Sequence, residues 1–133
     1  MPTLKFSKSS LKKLESCHSL LQLLFTEALE TSKVDFTILC GYRNKEDQDL
    51  AFARGNSRLK WPQSMHNKSP SLAVDVVPYP VDWYDIDEFI ELSKHIKETW
   101  EQIPLPERKG WKLVYGGDWE RLKDYPHWQI EPE

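Results

Sequence analysis

Long hydrophobic runs are absent from this sequence, in which no uninterrupted apolar stretch exceeds four residues. A helix needs about 20 apolar residues to span a bilayer, so we expect no membrane insertion. Residues 1–10 also lack the apolar core of a secretory signal. The sequence therefore predicts synthesis in the cytoplasm without a signal peptide.

An excess of positive charge is missing as well. The chain has 18 Lys and Arg residues against 21 Asp and Glu residues, for a formal net charge of −3. Its basic residues are scattered, whereas binding to a nucleic-acid backbone requires a concentrated positive face. We therefore expect no nucleic-acid partner. The length of 133 residues fits one domain, predicted to span residues 1–133.

Cysteine is scarce, and the only two are Cys17 and Cys40. Neither has a second Cys or a His at ligand spacing, so we interpret both as small core residues. A disulfide between them is an open alternative, although a chain of this length can bury an adequate core without one.

Tryptophan, in contrast, is abundant. Three of the six Trp residues, Trp111, Trp119 and Trp128, lie in the last quarter of the chain. Trp side chains are mostly buried, so core packing is expected, and a substrate groove lined by one or two of them is the alternative.

Apolar periodicity predicts a mixture of helices and strands. Residues 56–70 have no such periodicity and are predicted to form a long surface loop, the kind of segment that often carries function. The last two predicted strands are close enough in sequence to pair antiparallel, so the predicted class is α+β. The predicted helices are 10–31, 44–54 and 85–103, and the predicted strands are 34–40, 72–77, 111–115 and 127–130.

The four histidines fall into two groups. His18 and His95 lie inside predicted helices without a ligand motif, so we interpret them as packed or solvent-facing residues. His66 lies in the long loop and His127 at the start of the last strand, where chemistry is more common.

Asp75 interrupts an otherwise apolar strand. A carboxylate in such a place must be paired, hydrogen-bonded or bound to a metal, because burying it bare costs several kcal/mol. The alternative to a metal is an ion pair with a buried base such as Arg43.

Asp124 precedes His127 by three residues. Two imidazoles and one carboxylate, from His66, His127 and Asp75, suit Zn²⁺ and leave its fourth position open for water. Asp124 would remain as a general base for that water. The alternative for Asp124 is a local hydrogen bond in a turn.

Four separated motifs together resemble the zinc D-alanyl-D-alanine carboxypeptidase and L-alanyl-D-glutamate endopeptidase family, the VanY-like group that includes many phage endolysins. The resemblance covers residues 41–131 and implies a compact α+β fold, with helices packed on a small, mainly antiparallel sheet that carries the metal. The motifs are Gly41-Tyr42-Arg43, Ser64-x-His66, Ala73-x-Asp75 and Asp124-x-x-His127.

The resemblance also implies roles for individual residues. His66, Asp75 and His127 would bind one zinc ion, and Asp124 would be the catalytic base. Further expectations concern the substrate: Arg43 would stabilise the oxyanion or bind a substrate carboxylate, Ser64 would contact the substrate peptide, and Gln48 would shape that site. The alternative for Gln48 is an exposed helix residue.

Two positions depart from the common family pattern. The separation of His66 and Asp75 is nine residues, two more than is common in the family, so the intervening loop must bulge. Gln129 stands where family members often carry an acid. The presence of Gln129 does not change any of the proposed ligands.

The function implied by the resemblance is hydrolysis of an amide bond in the stem peptide of bacterial peptidoglycan. An L-alanyl-D-glutamate endopeptidase acting as a monomeric phage endolysin fits the short chain best, and a holin would release it to the wall. The alternatives are a D-alanyl-D-alanine carboxypeptidase, a non-catalytic zinc-containing wall-binding module, and a metal-free structural domain.

Overall fold

The computed structural model describes residues 4–133 and contains a four-stranded antiparallel sheet. The strand order is β1-β2-β4-β3, so the central pair comes from the middle and the end of the chain. The strands are β1 (Phe36–Cys40), β2 (Ala73–Pro78), β3 (Trp111–Tyr115) and β4 (His127–Pro132). The predicted antiparallel pairing of the last two strands and the α+β class are confirmed.

Five helices accompany the sheet within residues 4–133, and none of them is both long and apolar enough to cross a membrane. The helix α5 was not predicted from the sequence. Two short 3₁₀ turns, Met65–Asn67 and Gly116–Asp118, lie in the connections. The helices are α1 (Lys8–Glu15), α2 (Ser19–Thr31), α3 (Lys45–Ala53), α4 (Ile86–Gln102) and α5 (Leu105–Arg108).

The prediction of one helix over residues 10–31 is wrong, because the chain breaks between α1 and α2. Ser71 pairs there with the backbone of the break: its N–H donates to Ser16 O at 2.9 Å, and His18 N–H donates to Ser71 O at 2.8 Å. His18 is consequently outside a helix, and its Nδ1 caps α2 by accepting a hydrogen bond from Leu20 N. The break anchors the long loop that carries His66.

The starts of α3 and α4 follow local capping signals. Asn44 caps α3, Asp85 caps α4, and each side-chain oxygen accepts a hydrogen bond from a backbone N–H three residues on. Gly55 follows α3 with a φ of 77°, a conformation that glycine adopts without strain. His95 lies within α4 as predicted, and its Nε2 donates to Ala28 O of α2 at 2.8 Å.

The core lies between α2, α4 and one face of the sheet. Phe25 of α2 packs edge-on against Trp128 of β4, and both side chains are almost fully buried. Full burial of one such apolar side chain contributes about 1.5–3 kcal/mol. Val74 and Val76 of β2 are also buried in this core, so the alternation of the strand turns Asp75 to the opposite face. The sheet thereby presents one carboxylate to a cleft.

Candidate active site

A cleft of about 460 Å³ opens at the face of the sheet that carries Asp75. It contains six of the seven site residues predicted from the sequence. Those that line it are Arg43, Ser64, His66, Asp75, Asp124 and His127.

His66 is held rigidly with one ring nitrogen turned to Asp75. Ser64 caps the short 3₁₀ turn by accepting a hydrogen bond from His66 N–H, and the His66 side chain is 3% exposed. His66 Nδ1 lies 2.8 Å from Gly41 O. A carbonyl oxygen can only accept, so Nδ1 carries a proton, and in the neutral imidazole Nε2 has the free lone pair. This Nε2 lies 3.2 Å from Asp75 Oδ1.

His127 faces the same carboxylate from the neighbouring strand. Asp75 and His127 are direct cross-strand partners, and His127 Nδ1 lies 3.3 Å from Asp75 Oδ1. His127 Nε2 donates to Gln129 Oε1 at 2.7 Å, and the Gln129 amide donates in turn to Glu131 at 2.6 Å. Because the Glu131 carboxylate can only accept, the amide oxygen of Gln129 must face His127. In the neutral imidazole of His127, the free lone pair is therefore on Nδ1.

Both imidazoles therefore face the same carboxylate oxygen at 3.2 and 3.3 Å, where imidazole protons satisfy the carboxylate in the metal-free protein and a bound cation would take their place. Burial alone would lower the pKa of His66, but the charge and hydrogen bond of Asp75 outweigh it and raise that pKa to about 10. Burial likewise opposes ionisation of Asp75, yet the facing imidazoles hold its pKa well below its usual range. Two imidazole nitrogens and one carboxylate oxygen, each oriented by a second hydrogen bond or strand pairing, form a donor set that fits a divalent metal ion.

Cys40 is a donor that sequence analysis missed. Its sulfur, a ring nitrogen of His66 and a carboxylate oxygen of Asp75 all lie within 4.8 Å of one another. The interpretation of both cysteines as core residues is thus correct for Cys17, which is buried, and wrong for Cys40, which is half-buried beside the site. Both are free thiols.

The position of Cys40 results from a register shift in β1. Ile38 pairs with Val76, but Cys40 rather than Leu39 pairs with Asp75. Leu39 is the extra residue and is exposed. A regular strand would have placed Leu39 beside Asp75, so alternation in the sequence alone points to the wrong neighbour.

Arg43 enters the cleft from the segment between β1 and α3. Its Nη1 donates to Gln48 Oε1 at 3.0 Å, and its Nη2 lies 3.8 Å from Asp75 Oδ2. Gln48 is fully buried and does not line the cleft, which excludes the exposed alternative for this residue. The Asn67 amide, which sequence analysis missed, donates to both Gln48 Oε1 and Arg43 O. Gln48 and Asn67 therefore act on the site through Arg43.

Asp124 lines the cleft from a turn that precedes β4. His127 N–H donates to Asp124 O at 3.1 Å, so the local turn bond is made by the backbone and leaves the carboxylate available. Asp124 N–H donates to Gly116 O, and a Cβ at Gly116 would overlap the Asp124 carbonyl. Partial burial, followed by the negative charge of Asp75, raises the pKa of Asp124 above its usual value. Such a carboxylate is suited to accept a proton.

The rim of the cleft contains one tryptophan and several basic residues. The ring of Trp119 lies 5.3 Å from the His127 ring, which supports the groove alternative for one Trp, whereas Trp128 is buried in the core. The charged side chains in the rest of the rim are all basic, even though the chain has a net charge of −3. The basic rim residues are Arg58, Arg121 and Lys123.

Residues 2–131 match the sequence model of a family described as phage L-alanyl-D-glutamate peptidase. The chain belongs to this family. It is 33% identical over 124 residues to the L-alanyl-D-glutamate peptidase of Escherichia phage T5, a match that covers 91% of this chain and 85% of that protein. The family predicted by resemblance is thereby confirmed.

Two further proteins are similar. The peptidoglycan L-alanyl-D-glutamate endopeptidase CwlK of Bacillus subtilis (strain 168) is 29% identical over 108 residues, which cover 74% of this chain and 62% of CwlK. The crystal structure of the L-Ala D-Glu endopeptidase ChiX of Serratia marcescens superimposes with a TM-score of 0.76 at 27% identity, over 97% of this chain and 91% of ChiX. The second match confirms the predicted fold.

In this chain, a closed loop accommodates the nine-residue separation of His66 and Asp75. Leu72 N–H donates to Met65 O at 3.2 Å, and Ser71 is held by the break between α1 and α2. The extra residues thus bulge away from the cleft, and Asp75 still reaches His66.

Gln129 offers a test of how the imidazoles are oriented. We expect Gln129→Leu to lower the affinity for a divalent metal by about 10–100-fold, because His127 Nε2 would lose the acceptor that sets its tautomer. Competition with a chelator, with zinc as the probe, measures the change. Gln102→Leu is the matched control, since Gln102 is exposed at the end of α4. Equal affinities of the two variants would contradict the assigned tautomer.

Proposed function

We propose that this chain is a zinc-dependent L-alanyl-D-glutamate endopeptidase that cleaves the stem peptide of peptidoglycan as a phage endolysin. The observation that carries the proposal is the convergence of His66, His127 and Asp75 in one cleft with an available Asp124, in a chain of this family. Three protein ligands with an open fourth position are typical of catalytic rather than structural zinc sites.

In this proposal, His66, Asp75 and His127 hold the metal, and Asp124 moves the proton. Bound zinc supplies a Lewis acid for the scissile carbonyl and lowers the pKa of a water molecule. Asp124 accepts the proton of the attacking water and passes it to the leaving amine. Its raised pKa favours the first step, because a carboxylate that holds a proton more tightly is the better base.

Substrate binding is assigned to Arg43, Ser64 and the basic rim. A stem peptide carries free carboxylates, one of them on D-glutamate, and guanidinium groups bind carboxylates bidentately. Arg43, which Gln48 holds at the floor of the cleft, would bind a carboxylate or the oxyanion next to the metal. Arg58 and Arg121 at the rim would attract the acidic peptide, and Ser64 would contact its backbone.

The proposed biological role is that of a monomeric enzyme made in the host cytoplasm. It would reach the wall through membrane lesions opened by a partner holin. The substrate is then peptidoglycan, the polymer on which the relative CwlK acts according to its name.

Digestion of purified peptidoglycan by the zinc-loaded chain, followed by mass spectrometry of the fragments, tests the proposal. We expect new amino termini on D-glutamate, and we expect a chelator to abolish them. Release of terminal D-alanine instead would assign a D-alanyl-D-alanine carboxypeptidase. Zinc-loaded protein that binds the wall without cleaving it would assign a non-catalytic module.

Arg43→Lys separates a catalytic from a structural role for this residue. We expect kcat/KM to fall by about tenfold or more, equivalent to at least about 1.4 kcal/mol, because an ammonium cannot bond Gln48 and a carboxylate as a fork. The melting temperature is measured on the same sample. Arg54→Lys is the control, since Arg54 is exposed and does not line the cleft. A lower melting temperature with unchanged kcat/KM would show that Arg43 serves only as the ionic partner of Asp75.

A further inference from the structure

We propose that Cys40, His66 and Asp75 form a second ligand set at the metal centre, one that takes thiophilic divalent cations such as Cd²⁺. The ligand atoms of these three residues lie within 4.8 Å of one another. This set shares His66 and Asp75 with the proposed catalytic set but replaces the His127 nitrogen by a sulfur. The inference rests on the proposed metal centre and extends it.

The first argument is the backbone that holds the sulfur in place. The register shift in β1 makes Cys40 the direct partner of Asp75 on the neighbouring strand. Side chains of directly paired residues leave the sheet on the same face, about 4.5–5.5 Å apart at their Cβ atoms. The thiol is therefore held beside the carboxylate by sheet geometry and does not depend on a flexible loop.

The second argument is that the shared ligand His66 already faces this position. Its Nδ1 donates to the carbonyl oxygen of Gly41, the residue directly after Cys40, so the lone pair of the neutral imidazole is on Nε2, which faces Asp75. A ligating His normally donates its other ring nitrogen to such a carbonyl. A Cβ at Gly41 would overlap Lys13 O, so glycine is needed for this close packing of β1 against α1.

The third argument is that no disulfide occupies the sulfur of Cys40. Cys40 forms no disulfide, and its sulfur contacts Arg43 Nη2 at 3.7 Å and Gly41 O at 3.5 Å. Cys40 does not line the cleft, so contact with the substrate is not its role.

The ligand chemistry then determines the preferred cation. Thiolates prefer soft metals, whereas carboxylates and imidazoles also accept harder ions. On binding, the thiol releases its proton to solvent and the metal–sulfur bond forms. The sulfur ligand should therefore raise the affinity of the site for Cd²⁺. Removal of the sulfur should leave the affinity for Mn²⁺ largely unchanged.

The test is titration of the full chain with Cd²⁺, monitored by the ultraviolet thiolate-to-cadmium charge-transfer band. The variants are Cys40→Ala and, as a matched control, Cys17→Ala, whose cysteine is buried next to α2 and outside the site. We expect the band in the wild type and in Cys17→Ala. Cys40→Ala should lack it and bind Cd²⁺ at least about tenfold more weakly. An unchanged band or affinity in Cys40→Ala would overturn the inference.

A second measurement avoids dependence on the folding of Cys40→Ala. In the Cys17→Ala protein Cys40 is the only thiol, and we expect saturating Cd²⁺ to slow its alkylation by iodoacetamide at least about tenfold. Alkylation at the same rate with and without Cd²⁺ would also refute the second ligand set.

Failure of this inference is distinguishable from failure of the proposed function. Stem-peptide cleavage by zinc-loaded wild type without any cadmium–thiolate band refutes the Cys40 set and leaves the proposed function intact. A cadmium–thiolate band that depends on Cys40, in a protein that zinc does not activate, supports the ligand set and refutes the proposed function.

Discussion

Asp124→Asn is expected to lower kcat by about 10²–10⁴-fold while one zinc remains bound per chain, because the amide keeps the shape of the side chain but cannot accept the proton of the attacking water. The backbone of this turn is held by Gly116 O and by His127 N–H, neither of which involves the carboxylate. The substitution should therefore leave the metal ligands in place. Metal analysis and stem-peptide hydrolysis on the same sample measure both quantities.

The control for this substitution is Asp118→Asn. Asp118 lies only six residues away and forms an exposed ion pair with Lys97 at 2.8 Å, outside the cleft. Exposed ion pairs contribute about 0–1 kcal/mol to stability, so kcat should stay close to that of the wild type. If Asp124→Asn retained a comparable rate, the general base would have to be another residue.

His66→Ala is expected to abolish zinc binding and to reduce hydrolysis below detection. His66 belongs to both proposed ligand sets, so its loss leaves neither set complete. Zinc at 100 times its dissociation constant stabilises the folded wild type by about 2.7 kcal/mol, and this increment should vanish in the variant. Thermal unfolding with and without zinc, together with metal analysis, provides the measurement.

His95→Ala is the matched histidine control. His95 bonds Ala28 O between α4 and α2, remote in sequence and in fold from the cleft. Its loss should lower the melting temperature of the apo form but preserve the stabilisation by zinc. A zinc-dependent increase in melting temperature that persisted in His66→Ala would exclude His66 as a ligand.

Local sequence patterns were sufficient to predict several features of the fold and of the site. Asn44 and Asp85 predicted where α3 and α4 begin, because a cap acts over three residues of chain. Asp75 was identifiable as a site residue because a single acid among apolar strand residues needs a partner to offset the cost of its burial. The pairing of β3 with β4 also followed from their proximity in sequence.

Other features depended on contacts between distant segments. Nothing in the pattern of residues 10–31 marks the break at residues 16–18, since it is stabilised by backbone bonds to Ser71. In the sequence, Gln48 resembles an exposed helix residue. In the folded chain its amide is surrounded by Asn67, Ser57 and Arg43.

The sequence by itself was sufficient to identify the two histidines and the carboxylate of the candidate site, the starts of α3 and α4, and the class of the fold. Only the tertiary structure decided which atoms of those residues meet. Gly41 and Gln129 select the acceptor nitrogens of the imidazoles, and a one-residue register shift replaces Leu39 by Cys40 beside Asp75. The physical reason is that capping and burial are encoded over a few residues, whereas tautomers and strand register are set by hydrogen bonds between segments far apart in the chain.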